Sequence, residues 1–182
     1  MTQFTVPTRE EVNSTNQATF DNLQKALGFV PNLYAYFAKN NTALNDYLAL
    51  QNRKSTLKAK EREVINLVTS QINGCRYCQS AHTVLGKMNG FSEDQILELR
   101  GGSASFDDKL DALVKFTASV VANRGNASTE TKSTFFAAGY NEANMIDVVM
   151  IVGDKIISNY IHNLTGFAID FPIAVELETA LV

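Results

Sequence analysis

Apolar positions recur along this chain at three- and four-residue intervals with no sustained apolar/polar alternation, which predicts an all-α protein. The segment from about Thr15 to Leu27 carries Phe20, Leu23 and Leu27 on one stripe, and Gly28 stands where that helix should end. Phe29-Val30-Pro31-Asn32-Leu33 opens a second, short helix, since proline suits a first turn. A third is predicted over Thr42 to Arg53, with Asn41 as its cap and Leu44, Tyr47 and Leu48 as its apolar stripe.

Lys58 to Ile72 is strongly helical with Val64, Ile65, Leu67 and Val68 facing inward, and Asn73-Gly74 breaks it, so Cys75 begins a new helix that Gly90 closes. Ser92-Glu93-Asp94-Gln95 reads as the capped start of the next. Further helices are predicted over Asp107 to Asn123, Ser128 to Ala138, and Asn141 to about Leu164. Within the last, the apolar window Met145 to Ile157 is interrupted by Asp147, Gly153, Asp154 and Lys155 and falls short of the ~20 apolar residues a bilayer span needs. It is read as a buried helix, with no membrane partner. The tail after Phe171-Pro172 receives no assignment.

Length and charge narrow the classes. A chain of 182 residues fits the prior of roughly 100–200 residues per domain, so residues 1–182 are read as a single domain. A net charge of -3 without a basic run argues against nucleic acid as a partner. The first twenty residues are polar and lack the apolar core of a secretory leader, which predicts a cytoplasmic protein. In a reducing compartment a C-x-x-C pair is more often catalytic or metal-binding than a structural bridge.

The chemistry concentrates in Cys75-Arg76-Tyr77-Cys78-Gln79-Ser80-Ala81-His82, which holds both cysteines and one of two histidines. Residues three apart on a helix lie about 5–6 Å from each other, within the window of a disulfide. His82, one turn beyond Cys78, is suited to hold or take a thiol proton, and a helix start favours a thiolate. A zinc site would recruit His162 as well. Against it, seven helical steps separate the Cys75 and His82 backbones by ~10.5 Å, and no second C-x-x-C exists. Two cysteines packed as small apolar residues are the plainer alternative. Taken alone, Glu63 in Lys60-Glu61-Arg62-Glu63 reads as a solvated helix charge. Asn159, Tyr160 and His162 read as a cluster that satisfies buried groups. A faint echo links Glu63-Val64-Ile65 leading to Cys78 and His82 with Asn144-Met145-Ile146 leading to Asn159 and His162, as a structural repeat would.

Glu63, eleven intervening residues, then Cys75-x-x-Cys78-x-x-x-His82 resembles the carboxymuconolactone decarboxylase superfamily, in its AhpD-like alkylhydroperoxidase and peroxidase-related branch. Gly28-Phe29-Val30-Pro31-Asn32-Leu33 and Asn159-Tyr160-Ile161-His162 extend the likeness over about Pro7 to Phe171. The resemblance implies an AhpD-like helical bundle, a catalytic helix pair at about 58–89, and Cys75, Cys78, His82 and Glu63 as catalytic residues. Glu63 thereby becomes part of a proton relay. It further implies a thiol-dependent peroxidase that reduces a hydroperoxide, is restored by a lipoyl-bearing or thioredoxin-like dithiol donor, assembles as a trimer or hexamer, and uses no cofactor or metal. Tyr77 departs from the pattern, because the hydroperoxidases commonly carry histidine just before the second cysteine. The alternative on the same scaffold is a dithiol redox sensor or binding protein with little turnover.

Overall fold

The structure, a computed structural model, describes residues 4–177. Among these the chain forms a 3-10 turn at Arg9–Glu11 and the helices α1 (Ser14–Leu27), α2 (Asn32–Phe37), α3 (Ala43–Gln51), α4 (Ala59–Ile72), α5 (Arg76–Met88), α6 (Glu93–Arg100), α7 (Asp108–Ala122), α8 (Thr129–Ala137) and α9 (Glu142–Thr165), with no strand. The chain is all-α. Side-chain caps set most of the starts: Asn13, Ser92, Asp107, Ser128 and Asn141 each accept an amide of the first turn they precede. The start of α3 differs from expectation. Thr42 occupies the cap position, and it is Asn40, not Asn41, whose Oδ1 accepts the Thr42 and Ala43 amides at 3.0 and 3.2 Å. The helix ends at Gln51, and the Arg53 side chain beyond it turns to Asp147 on α9.

The predicted inward face of α4 is observed: Val64, Ile65, Leu67 and Val68 are fully buried, and α4 packs against α5, α6, α7 and α9. Around it lies one apolar core, which includes Leu99, Leu113, Val114, Phe116, Phe135 and Val148. A second core joins Phe20, Leu33, Phe37, Leu44 and Tyr47 to Cys75, Tyr77, Cys78 and Phe167. The cysteines therefore lie where the N-terminal helices meet α5. At the corner between α4 and α5, Gly74 takes φ +64, a left-handed conformation that L side chains adopt at a cost.

α9 is not the wholly buried helix that its apolar window predicts. Val148, Ile151 and Val152 face the core, whereas Ile146, Val149, Met150, Ile157, Tyr160 and Leu164 are exposed. The echo of the C-x-x-C region is no structural repeat either: Asn144 to His162 lies in one unbroken helix, while Glu63 to His82 spans two helices and a turn. After α9 the chain crosses back over the start of α5. There the Ala174 amide donates to Ser80 Oγ at 3.0 Å and Arg76 Nη2 donates to the Ala174 carbonyl at 2.7 Å. Among the described residues no helix is long and apolar enough to cross a membrane.

Candidate active site

Cys75 does not lie within the helix. It is the cap residue of α5, with extended φ/ψ of -84° and 99°, and its Sγ accepts the Cys78 amide at 3.4 Å in the place a serine or asparagine oxygen usually takes. Cys78 follows in the first turn, and His82 follows it by one more. Both thiols are free and buried. A hydrogen bond from the Cys75 thiol, outweighing the burial that opposes it, holds Cys78 down to about 6; Lys155, His82 and the Asn159 side chain add to the lowering. That same bond, together with burial, pushes Cys75 well above the usual thiol value.

Glu63, which the charge pattern reads as solvated, is 9 % exposed and faces His82. The reading as a surface charge fails because Glu63 turns away from its charged neighbours into the contact between α4 and α5. Its Oε2 lies 2.8 Å from His82 Nδ1, and its Oε1 accepts Asn66 Nδ2 at 3.0 Å. Burial alone would raise its pKa; His82, Asn66 and Lys155 outweigh burial and place it below the usual carboxylate range. On the far side of the imidazole, Lys155 Nζ lies 3.2 Å from Nε2. These partners fix the tautomer, since Nδ1–H donates to the carboxylate and the Nε2 lone pair accepts from the ammonium.

Lys155 is the residue that sequence reasoning missed. It is 2 % exposed, and its ammonium is 3.7 Å from Asp154 Oδ2. Burial would lower its pKa, but Tyr47, Asp154, Cys78 and Tyr34 hold it above the ordinary lysine value. The signal was present in the chain: Asp154-Lys155 is a charge pair in the middle of the most apolar window, and charges are fully buried only with partners.

These groups lie along a cleft of about 370 Å³ whose lining includes Cys78, His82, Lys155, Tyr34 and Gln51, with Leu27, Phe29, Leu85, Met88 and Phe171 among its apolar walls. Cys75 does not line it. Tyr77 forms part of the wall and packs edge-on against Phe167 and Phe171, each with ring centroids 5.6 Å away. Of the second polar group, Asn159 is fully buried and accepts Asn73 Nδ2 at 2.9 Å; Tyr160 is exposed; His162 bonds the Phe167 carbonyl. Among the described residues, no three His, Cys, Asp or Glu side chains are grouped to hold a metal.

Residues 35–119, from α2 through most of α7, match the model of the Carboxymuconolactone decarboxylase family. Over that segment the chain is similar to the carboxymuconolactone decarboxylase family. The matched segment holds Glu63, Cys75, Cys78 and His82 but ends before Lys155. An AhpD-like fold extends over nearly the whole chain. The AhpD core of an uncharacterized peroxidase-related protein from Ralstonia eutropha JMP134 superposes with TM-score 0.83 at 20% identity, covering 92% of each chain. A peroxidase-related protein from Silicibacter sp. TM1040 superposes with TM-score 0.79 at 23% identity, covering 92% of this chain and 90% of its own. The debrominase Bmp8 superposes with TM-score 0.74 at 18% identity, covering 93% of both. No curated protein matches the chain.

Proposed function

We propose that this protein is a thiol-dependent peroxidase that reduces apolar organic hydroperoxides. One observation carries the reading: Cys78, favoured as a thiolate at neutral pH, faces the cleft, while its partner Cys75 lies behind it and away from the cleft. In the proposed cycle the Cys78 thiolate attacks the distal peroxide oxygen, the O–O bond breaks, and the alkoxide leaves. Cys78 is then a sulfenic acid. The Cys75 thiol attacks that sulfur, and its proton departs with the sulfenic hydroxyl as water, leaving the disulfide. Glu63 and His82 act as a proton relay. A dithiol donor, of the lipoyl or thioredoxin-like kind, restores both thiols by exchange and supplies the two electrons. The mostly apolar lining supports an organic hydroperoxide over hydrogen peroxide, which has no apolar surface to bury.

The test is consumption of cumene hydroperoxide with dihydrolipoamide as the donor. Turnover that vanishes in Cys78→Ser is the expected outcome; a rate equal to that variant in the unmodified protein overturns the reading. The likeness to a debrominase, whose Cys-to-Ala variant is complexed with 2,3,4-tribromopyrrole, favours one second reading: reduction of a haloarene by the same dithiol. Release of bromide from tribromopyrrole, in place of peroxide consumption, would support it.

A homo-oligomer belongs to the same proposal. The exposed residues Ile146, Met150, Ile157, Tyr160 and Leu164 recur at three-, four- and seven-residue spacing along α9, and Gly153 on the same stripe leaves room for a close approach. A second copy of this chain would cover that stripe.

A further inference from the structure

Both nitrogens of His82 are occupied, Nδ1 by Glu63 and Nε2 by Lys155, so the imidazole has none left to meet Cys78. The group at the end of the relay is the lysine. An ammonium carries three N–H donors. The contact to His82 uses one, and the 3.7 Å separation from Asp154 Oδ2 is an ionic contact too long for a hydrogen bond. Asp154 Oδ1, although buried, accepts nothing. Lys155 is thus a deeply buried cation with hydrogen-bonding capacity to spare, and it lines the same cleft as Cys78. The titratable groups facing it are Tyr34 of α2, Tyr47 of α3, Cys78 and His82 of α5 and its neighbour Asp154, with Glu63 of α4 behind the imidazole.

We infer that Lys155 is a catalytic residue of the thiol chemistry: oriented by the Glu63–His82 pair, it holds Cys78 as the thiolate and delivers the proton to the departing oxygen. The second half rests on the peroxidase reading. When Cys78 Sγ takes the distal oxygen, the electron pair of the broken O–O bond stays on the alkoxide, which takes a proton from Lys155 Nζ. The products are the alcohol, a neutral amine and the Cys78 sulfenic acid. Disulfide formation then releases water as described. The donor dithiol gives up two electrons and two protons, one proton returning to Cys75 and the other to Lys155.

Lysine and arginine differ in a way that separates the two roles. Arginine keeps the positive charge but does not release a proton. The experiment follows the pH dependence of Cys78 alkylation by iodoacetamide, resolved by mass spectrometry, together with cumene hydroperoxide turnover, in Lys155→Met, Lys155→Arg and the Asp154→Asn/Lys155→Met pair. The pair leaves no lone buried carboxylate and guards against misfolding of the single variant. In Lys155→Met and in the pair, the alkylation midpoint is expected to rise by at least about one pH unit, roughly a tenfold loss of thiolate below it. In Lys155→Arg the midpoint stays near that of the unmodified protein while turnover falls roughly 10²-fold. An unmoved midpoint in the folded pair overturns the hold on the thiolate, and native turnover in Lys155→Arg overturns the proton delivery. A midpoint that moves with Lys155 in a protein that consumes no hydroperoxide sinks the peroxidase reading and supports the thiolate role by itself.

Discussion

Tyr77 Oη accepts the Leu33 amide at 3.2 Å, tying the residue before the second cysteine to the first turn of α2. The bond fastens two neighbouring parts of the cleft lining, α5 and α2, to each other. Burial raises the Tyr77 hydroxyl far above the usual phenol value, so it moves no proton near neutral pH. Replacing Tyr77 by phenylalanine leaves a buried N–H without an acceptor, which costs about 1–3 kcal/mol. A lowered Tm with an unchanged pH midpoint of Cys78 alkylation is the expected pair of results.

The two thiols should behave unequally. Alkylation of Cys78 is expected to titrate near 6, with Cys75 unreactive at that pH. Cys75→Ala removes the hydrogen bond that contributes most to the lowering and should move the midpoint up, whereas Cys75→Ser keeps a donor and should move it less. A stoichiometric pulse of peroxide should block both thiols together in the unmodified protein and leave a trappable sulfenic acid in Cys75→Ser. Free thiols at both positions after the pulse, in folded protein, would rule out the redox cycle.

For Glu63, glutamine preserves shape while removing charge. A surface carboxylate so replaced would change stability by no more than about 0.5 kcal/mol. Here turnover should fall by roughly 10²–10⁴-fold, the usual contribution of a general base. The pH dependence has a definite sign. Because the folded carboxyl lies below its ordinary value, its stabilisation is present above that ordinary value and is lost as pH falls toward the folded one. Denaturation curves of the two proteins should therefore converge on acidification.

Asp147 offers a second acid-sensitive contact, away from the thiols. Burial would raise it, but Thr56, Arg53 and Ser55 hydrogen-bond its carboxylate and push it down to about 2 from an ordinary 3.8. The stabilisation is complete above the ordinary value and disappears between the two. Asp147→Asn should cost about 2 kcal/mol at neutral pH and little at pH 2, read by urea titration.

The exposed stripe of α9 gives a prediction about assembly. Ile157→Asp should lower the mass found by light scattering, with the helix content of the protomer retained, if a second copy covers this face. An unchanged mass places the contact elsewhere.

Local signals made most of the fold legible. The capping side chains at Ser92, Ser128 and Asn141 and the inward stripe of α4 lie within one or two turns of the elements they define. What escaped were relationships between distant segments. Asn40 displaced Asn41 at the start of α3, and nothing in the neighbouring residues distinguishes two adjacent asparagines. Glu63 looks like its charged neighbours until α5 packs over it; the family spacing, and not the charge pattern, singled it out. Lys155 was visible only as an interruption, because its partner His82 is 73 residues away and their 3.2 Å contact exists only once α5 and α9 meet.

The return of the chain over the start of α5 limits how the oxidised pair can be reached. Arg76 and Ser80 are bound to Ala174, and Cys75 beside them is fully buried and does not line the cleft. An incoming thiol must then enter by the cleft and strike Cys78, expelling Cys75 as the leaving sulfur. Since Cys75 is the more basic thiol, it departs slowly unless a proton meets it. Of the two kinds of donor proposed, a slender swinging arm therefore suits the passage better than a dithiol fixed on a broad folded surface.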